Sequence, residues 1–412
     1  MTSTLSLVKQ SLPDIVEAGA FGTGLRFESF VEDGDKAGQD QYASIVVFGD
    51  LSLSGGQRLQ LVVKFKHRSP LLRLVFKSDQ QFHNEIVMYE RIIPFLEQCN
   101  GPAAAPMFPR YFYGRNVCGE LALEDMVVLE NVCPSGYRLS EERVFLDYQH
   151  VKIALIALAK FHGLSYTAKQ KDNERFLKTL ADMQESQWSE DGQWVVRDNG
   201  MTKMGRRGVD LLIERDAEKY RDNEHVRRLS EFMKDPDKNL RRMMNVHDPL
   251  SVLCHGDFCR NNMMFKYDEA GKPVDALLFD LAMIRYGSPA FDLSFFLYLN
   301  TDRQLRNERW DSLIDAYCSA LAESVPDGVN VPDRARVDAE IAKYAVYGLS
   351  HVTFFLPIMV DTEHVMDLSK YGTVSADDWL DLLMAMGGAK GKALVADVYE
   401  HVVNMGFTDF EL

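Results

Sequence analysis

Four residues that could do chemistry together follow one another in a single stretch: His255, Asp257, Asn262 and Asp280, within residues 251–299. A short apolar run ends in His255-Gly256-Asp257, and a polar loop leads to Met263-Met264-Phe265. A third apolar run, Ala276-Leu277-Leu278-Phe279, stops abruptly at Asp280. The runs read as strands, the last two separated by a turn at 268–271. Two of them end in an acid, with the amide of Asn262 between. A carboxylate, a carboxamide and a second carboxylate aimed at one point suit a magnesium-bound phosphate. Mg²⁺ takes hard oxygen ligands, usually one or two carboxylates together with substrate phosphates. A further carboxylate can accept the proton of an attacking hydroxyl. Asn262 and Asp280 are then the candidate metal ligands and Asp257 the base or orienting carboxylate, while His255 holds the loop through hydrogen bonds.

The spacing Asp257-x4-Asn262 is that of the kinase catalytic loop, and Asp280 falls where the second magnesium ligand follows. HGDFCRNNMMF followed by LLFDLAMIRYGSPAFDLSFFL resembles the ecdysteroid-kinase-like family of insect proteins. That family is a branch of the kinase-like fold that also holds choline kinases and aminoglycoside phosphotransferases. Its usual loop carries Trp where this chain has Cys259. The resemblance implies an α+β, bilobal protein-kinase-like fold. A small β-rich nucleotide-binding lobe would span residues 1–133, and a larger, mostly helical lobe for catalysis and acceptor binding residues 134–412. It also implies ATP and Mg²⁺ as cofactors and phosphorylation of a small-molecule hydroxyl, with sterols as the best-known acceptor class. Protein kinases place a lysine two residues after the catalytic Asp, where this chain has Cys259. Arg260, one position later, is the candidate for positive charge on the transferring phosphoryl group, with a structural salt bridge as its alternative. Asp292 either braces the catalytic loop or caps a helix over 293–299.

The elements that must position these groups can be read in order. Residues 5–18 carry Leu5, Val8, Leu12 and Ile15-Val16 at helical spacing, an amphipathic helix able to pack on the small lobe. Strands are expected at 25–31 and 42–48, joined by an acidic turn over 32–41 that lacks a G-x-G-x-x-G pattern. In the kinase-like fold this loop would lie over the phosphates. Gln41-Tyr42-Ala43-Ser44 resembles an Asn-Tyr-Ala-Ser signature, which makes Ser44 a candidate phosphate contact. A third strand over 58–66 puts Leu59, Leu61 and Val63 on one face and Gln60, Val62 and Lys64 on the other. A lysine at a strand end is usually solvated. By resemblance, Lys64 is the lysine that holds the α- and β-phosphates, and Glu85, on a helix over 80–93 that breaks near Pro94, is the acid that orients it. Further strands at 111–114 and 124–132 lead to the connector between lobes, where the backbone of Glu130 to Val132 would bind the adenine edge.

Beyond the connector the pattern turns helical, with a buried-type helix over 146–168 in which His162 is structural. Lys169 and Lys171 read as solvated. Residues 172–248 are charged and broken; this zone contributes to the acceptor side in related folds, and Trp188 and Trp194 are acceptor-pocket candidates for which core packing is the commoner role. Further helices are expected over 309–324, 334–349, 376–386 and 392–403. Tyr344, Tyr347, His351, Phe354, Phe355 and Met359 form an aromatic-rich face, the core or the wall of an apolar acceptor pocket.

Net charge is −15, from 46 basic and 61 acidic residues, which argues against nucleic acid or an anionic membrane as the main partner. No apolar run is long enough to span a membrane. The N-terminal residues carry no basic region followed by an apolar core, so a secretory signal is not expected. The six cysteines form no C-x-x-C pair, which speaks against zinc and for reduced thiols in the cytoplasm. A monomer acting on a small-molecule hydroxyl acceptor is expected. A sterol or ecdysteroid-like alcohol would want a long apolar pocket; a choline- or aminoglycoside-like cation would want carboxylates and aromatic faces. A catalytically silent ligand-binding protein that keeps the fold is the alternative from another class.

Overall fold

The computed structural model describes residues 4–34, 44–101, 106–188, 200–245, 249–364 and 373–411. Residues 35–41 of the expected phosphate loop, the Gln41-Tyr42-Ala43 part of its signature, and Trp194 lie outside them.

The first helix, α1 (Thr4–Glu17), is followed by strands β1 (Phe27–Glu32), β2 (Ser44–Leu53) and β3 (Gln57–Lys66). Helices α2 (Pro70–Val75), α3 (Ser78–Val87) and α4 (Ile93–Asn100) precede strands β4 (Tyr111–Arg115) and β5 (Met126–Glu130). The five strands make one antiparallel sheet in the order β1-β2-β3-β5-β4. Side-chain alternation decides what each face does. Leu61, Val63 and Phe65 of β3 are buried against Val8, Leu12, Ile15 and Val16 of α1, so the first helix does pack on the small sheet. Lys64 and Lys66 point to the opposite face, where α3 lies; the Lys66 ammonium sits over the Phe82 ring.

Pro94 does not end the helix that carries Glu85. The chain widens into a single π turn at Met88–Ile92 and continues as α4, with the proline in the first turn of the new segment. The prolyl nitrogen has no hydrogen to donate, and a wider turn ahead of it accommodates that loss.

After the connector come β6 (Tyr137–Arg138) and the long helix α5 (Tyr148–Leu180), which bends at Asp172 rather than stopping at 168. The charged zone that follows is regular: α6 (Gly200–Arg215), α7 (Ala217–Tyr220), α8 (Glu224–Phe232) and α9 (Pro236–Met244). Each buries an apolar stripe, such as Val226, Leu229 and Phe232 on α8. Lys169 is half-buried, whereas Lys171 is exposed as expected. The Lys169 ammonium donates to the carbonyls of Pro249 and Ser251, and Lys171 to that of Cys99, so both tie α5 to its neighbours.

Strands β7 (Val252–Cys254), β8 (Met263–Tyr267), β9 (Pro273–Leu278) and β10 (Arg285–Gly287) carry the catalytic stretch. β7 pairs with β10, and β8 lies between β6 and β9. Beneath them is α10 (Ala290–Asn300), every residue of which is buried, as a helix apolar on all sides must be. It packs on α12 (Arg334–Val360), which follows α11 (Arg303–Ser324) and precedes α13 (Ala376–Ala385) and α14 (Gly388–Met405). Gly348 lets α12 approach so closely: a Cβ there would sit 2.4 Å from the carbonyl carbon of Ser294 on α10. α12 runs past its expected end at 349, and most of the aromatic face is core. Tyr344, Tyr347, His351 and Phe354 are buried, while Phe355 and Met359 are half-buried. Trp188 is likewise buried, edge-on to His351.

Candidate active site

The geometry starts at Lys64. β3 hands its side chain to α3, where the ammonium meets Glu85 Oε2 at 2.6 Å, and it also reaches Asp280 Oδ1 at 2.7 Å, from the strand end 216 residues away. Lys64 is buried and Glu85 fully so, whereas the Asp280 side chain keeps 39% of its exposure. Burial works against the charge on Lys64, but Asp280 and Glu85 together hold its pKa above the usual lysine range. Burial would likewise raise Asp280; the Lys64 ammonium outweighs it and holds that carboxyl below its ordinary value. Burial pushes Glu85 upward against the pull of Lys64, and its second oxygen, Oε1, has no hydrogen-bond partner among the described residues.

Asp280 has a left-handed backbone, φ +60°. Aspartate tolerates that region better than most residues, yet such a conformation costs about 1–3 kcal/mol and persists only where the surroundings enforce it. Here they do. The Phe279 N–H donates to the Asn262 carbonyl at 3.1 Å, and the Phe279 carbonyl accepts from His255 Nε2 at 3.0 Å.

The catalytic loop is braced from below. The N–H groups of His255 and Gly256 donate to the two oxygens of Asp292, at 2.7 and 2.9 Å, and Asp292 also contacts His162 Nε2 at 3.2 Å. Asp292 thus braces the loop; it is no cap, because α10 begins before it at Ala290. Gly256, at φ +81°, must be glycine: a Cβ would lie 1.7 Å from the Met283 carbonyl oxygen. His255 Nδ1 faces the Asp257 N–H at 3.4 Å, so the tautomer that fits protonates Nε2. His255 therefore links the loop to the strand before Asp280, which is the holding role its sequence context suggested.

Asp257 is half-buried, and Asn262 Nδ2 donates to its Oδ2 at 2.8 Å and its carbonyl at 2.9 Å. With its hydrogens directed at Asp257, the Asn262 amide keeps its oxygen available as a ligand. Burial, and after it the negative charge of Asp280, pushes Asp257 up to about 6. Two carboxylates, the charge of one raising the other, form with the available amide oxygen a hard-oxygen donor set that fits a divalent cation. Arg260 Nη1 donates to the Arg143 carbonyl and to Asn261 Oδ1, the structural role that was its alternative.

The other candidates are spread along the sheet edge. Ser44 opens β2 opposite Lys66, on the same sheet face as Lys64. Glu130 closes β5, its N–H donating to the Arg110 carbonyl. Val132 packs against Tyr137, Leu277 and Met264, and its carbonyl accepts from Ser135. Among the described residues the Val132 N–H has no acceptor. Sequence reasoning missed Asn84, buried beside Glu85, because an amide on a helix carries no motif; only the fold shows what it touches.

A small antiparallel sheet with a buried Lys–Glu pair, set on a helical lobe that presents an Asp–Asn loop and a strand-end Asp, defines a small-molecule phosphotransferase of the kinase-like fold. The chain belongs to the ecdysteroid kinase-like family, whose model matches residues 38–327. No curated protein matches it significantly. Among solved structures it is similar to macrolide 2'-phosphotransferase MphH from Brachybacterium faecium, at 13% identity and a TM-score of 0.40, over 92% of this chain and 97% of that one. It is also similar to the Plasmodium vivax ethanolamine kinase, at 12% identity and 0.42, over 91% and 85%. A third is amicoumacin kinase hAmiN in complex with AMP-PNP, Ca²⁺ and Ami, at 11% identity and 0.41, over 86% and 91%.

Proposed function

We propose that the protein transfers the γ-phosphoryl group of MgATP to a hydroxyl of a small molecule, a sterol or ecdysteroid-like alcohol by its family. The observation that carries this is the meeting of Lys64 and Glu85 with Asp280, 216 residues from Lys64 along the chain, with the Asp257–Asn262 pair on the adjoining loop. Lys64 would hold the α- and β-phosphates, oriented by Glu85. Asn262 and Asp280 would hold magnesium, which when bound neutralises charge on the phosphates. Asp257 accepts a hydrogen bond from the acceptor hydroxyl, aligns it and takes its proton. A carboxyl with a pKa of about 6 is deprotonated at neutral pH yet basic enough for that task. The connector backbone at Glu130 to Val132 would bind adenine, the free Val132 N–H donating, and Ser44 would contact phosphate. The lobe boundary is proposed near residue 133. Among the described residues no helix is long and apolar enough to cross a membrane, in keeping with a proposed cytoplasmic monomer.

Transfer of labelled γ-phosphate to a mixed set of sterols, choline-like amines, plant-type phenols and glycosides tests this, with Asp257→Asn alongside. Label in the sterol class that disappears in the variant is expected. Label in an amine or glycoside moves the acceptor class. MgATP binding with no label in any class speaks for a silent binding protein.

A further inference from the structure

We propose that Asn84 is a positioning residue that sets the Lys64–Glu85 pair against Asp280; this rests on the phosphotransferase reading above. Asn84 is fully buried and immediately precedes Glu85 on α3. Its Nδ2 donates to the Gln184 carbonyl at 2.8 Å and to the Ala282 carbonyl at 3.1 Å, while its Oδ1 accepts from the Gln184 N–H at 2.8 Å. The amide orientation is fixed by these partners, since a flipped amide would face two carbonyls with an oxygen and an N–H with a nitrogen. All its strong capacity is used, and all of it on main-chain groups.

What those groups belong to gives the role. Ala282 lies two residues after Asp280, and Phe279, just before Asp280, is tied to the catalytic loop through Asn262 and His255. The strained Asp280 backbone is therefore pinned on one side by the catalytic loop and on the other by Asn84. One turn of α3 thus supplies both the acid that holds Lys64 and the amide that holds the strand end. The 2.7 Å contact between Lys64 and Asp280 closes that loop of constraints. Gln184 adds a third body. It begins the segment in which Glu185 accepts from the N–H groups of Gln187 and Trp188 and pairs with Arg285 at 3.5 Å. Nucleotide lysine, metal-side carboxylate and the segment leading into the acceptor-side zone share this amide.

The test uses the full chain with MgATP as the probe, reading phosphate transfer to water and its dependence on magnesium concentration. Asn84→Leu keeps the branched shape and the number of heavy atoms and removes every side-chain hydrogen bond. The expected result is a folded protein whose turnover per folded molecule falls about ten- to a hundredfold, as misplacement on the order of 1 Å costs in a positioned reaction. Half-saturation by magnesium moves to higher concentration at the same time. Should Asn84→Leu fail to fold, Asn84→Asp keeps the shape and the acceptor for Gln184 but turns a carboxylate on two carbonyls. Its turnover relative to wild type is expected to rise as the pH is lowered and that carboxyl takes up a proton. A folded variant with wild-type turnover and wild-type magnesium dependence would overturn the role of Asn84 and leave the enzyme reading intact. Wild-type protein that does not bind MgATP at all would overturn both.

Discussion

Two lysines stand two positions apart on the same face of β3, each buried and each facing two carboxylates, yet they belong to different regimes. Lys66 is closed off. Its side chain is wholly inaccessible and donates to Asp79 at 2.5 Å and to Asp125 at 2.8 Å, with Cys118 Sγ at 3.5 Å. Asp125 is wholly buried as well and also accepts the N–H groups of Val117 and Cys118, so the group knits the β4–β5 turn to the end of β3. Lys64 is open. One of its acids comes from distant sequence and sits in a strained backbone, and the other has a free oxygen. A buried ion pair confined to one sheet and the helix beside it is architecture; one that spans two parts of the fold and leaves a buried oxygen unpaired is a place for a ligand.

The sharpest way to break that contrast is to remove each lysine in turn. Lys64→Met is expected to leave a folded protein whose phosphate transfer falls by about 10²–10³-fold, the loss seen when one preorganised donor to a reacting group is deleted. Lys66→Met should instead lower the thermal midpoint while leaving transfer per folded molecule unchanged. Equal loss of transfer in the two would erase the distinction. Asp125→Ala probes the closed region from its acid side: breaking a buried pair costs about 3–5 kcal/mol, so the chemical-denaturation midpoint should drop sharply. A wild-type midpoint would show that Asp79 alone suffices for Lys66.

A smaller effect tests the open region through its charges. Asp257 must be deprotonated to accept a proton, and its pKa lies at about 6, above the usual aspartate value. Transfer should therefore be flat at neutral pH and fall about tenfold per unit as the pH drops below that value, because only the carboxylate form works. Burial is the larger cause of the shift and the Asp280 charge the second. In Asp280→Asn the Asp257 carboxyl, followed by ¹³C titration, should move downward without reaching its ordinary value. A titration that does not move would mean the two acids do not sense each other.

How much of this could be read beforehand divides along the same line. The candidate site was legible because its chemistry is written in spaced, unusual residues: Asp257 and Asp280 each end an apolar run, Asn262 keeps the kinase-loop spacing from Asp257, and Lys64 is found by resemblance. Most elements followed from periodicity, β3 and α1 almost to their ends. The closed features were not legible. Lys66 and Lys169 look like surface lysines, because a side chain's partners are set by tertiary contacts that leave no local pattern. Helices α6–α9 hid behind a high charge, since four short amphipathic helices need only a narrow apolar stripe each. Pro94 suggested a stop because a π turn that absorbs a missing N–H has no sequence signal.

The mildest test concerns backbone rather than charge. The Val132 N–H, without an acceptor among the described residues, lies at the connector where the adenine edge is proposed to bind, and so belongs with the open set. Val132 has φ −82°, close to what a proline ring requires, so Val132→Pro removes the donor with little backbone change. If that N–H meets the adenine edge, one hydrogen bond is lost, about 1 kcal/mol, which corresponds to roughly fivefold weaker ATP binding by calorimetry. Val132→Ala, which keeps the N–H but gives up contact with Tyr137 and Leu277, separates the donor from the packing. ATP affinity lowered in the proline variant and kept in the alanine variant assigns the loss to the backbone. The reverse order would make Val132 an apolar wall and place adenine recognition elsewhere.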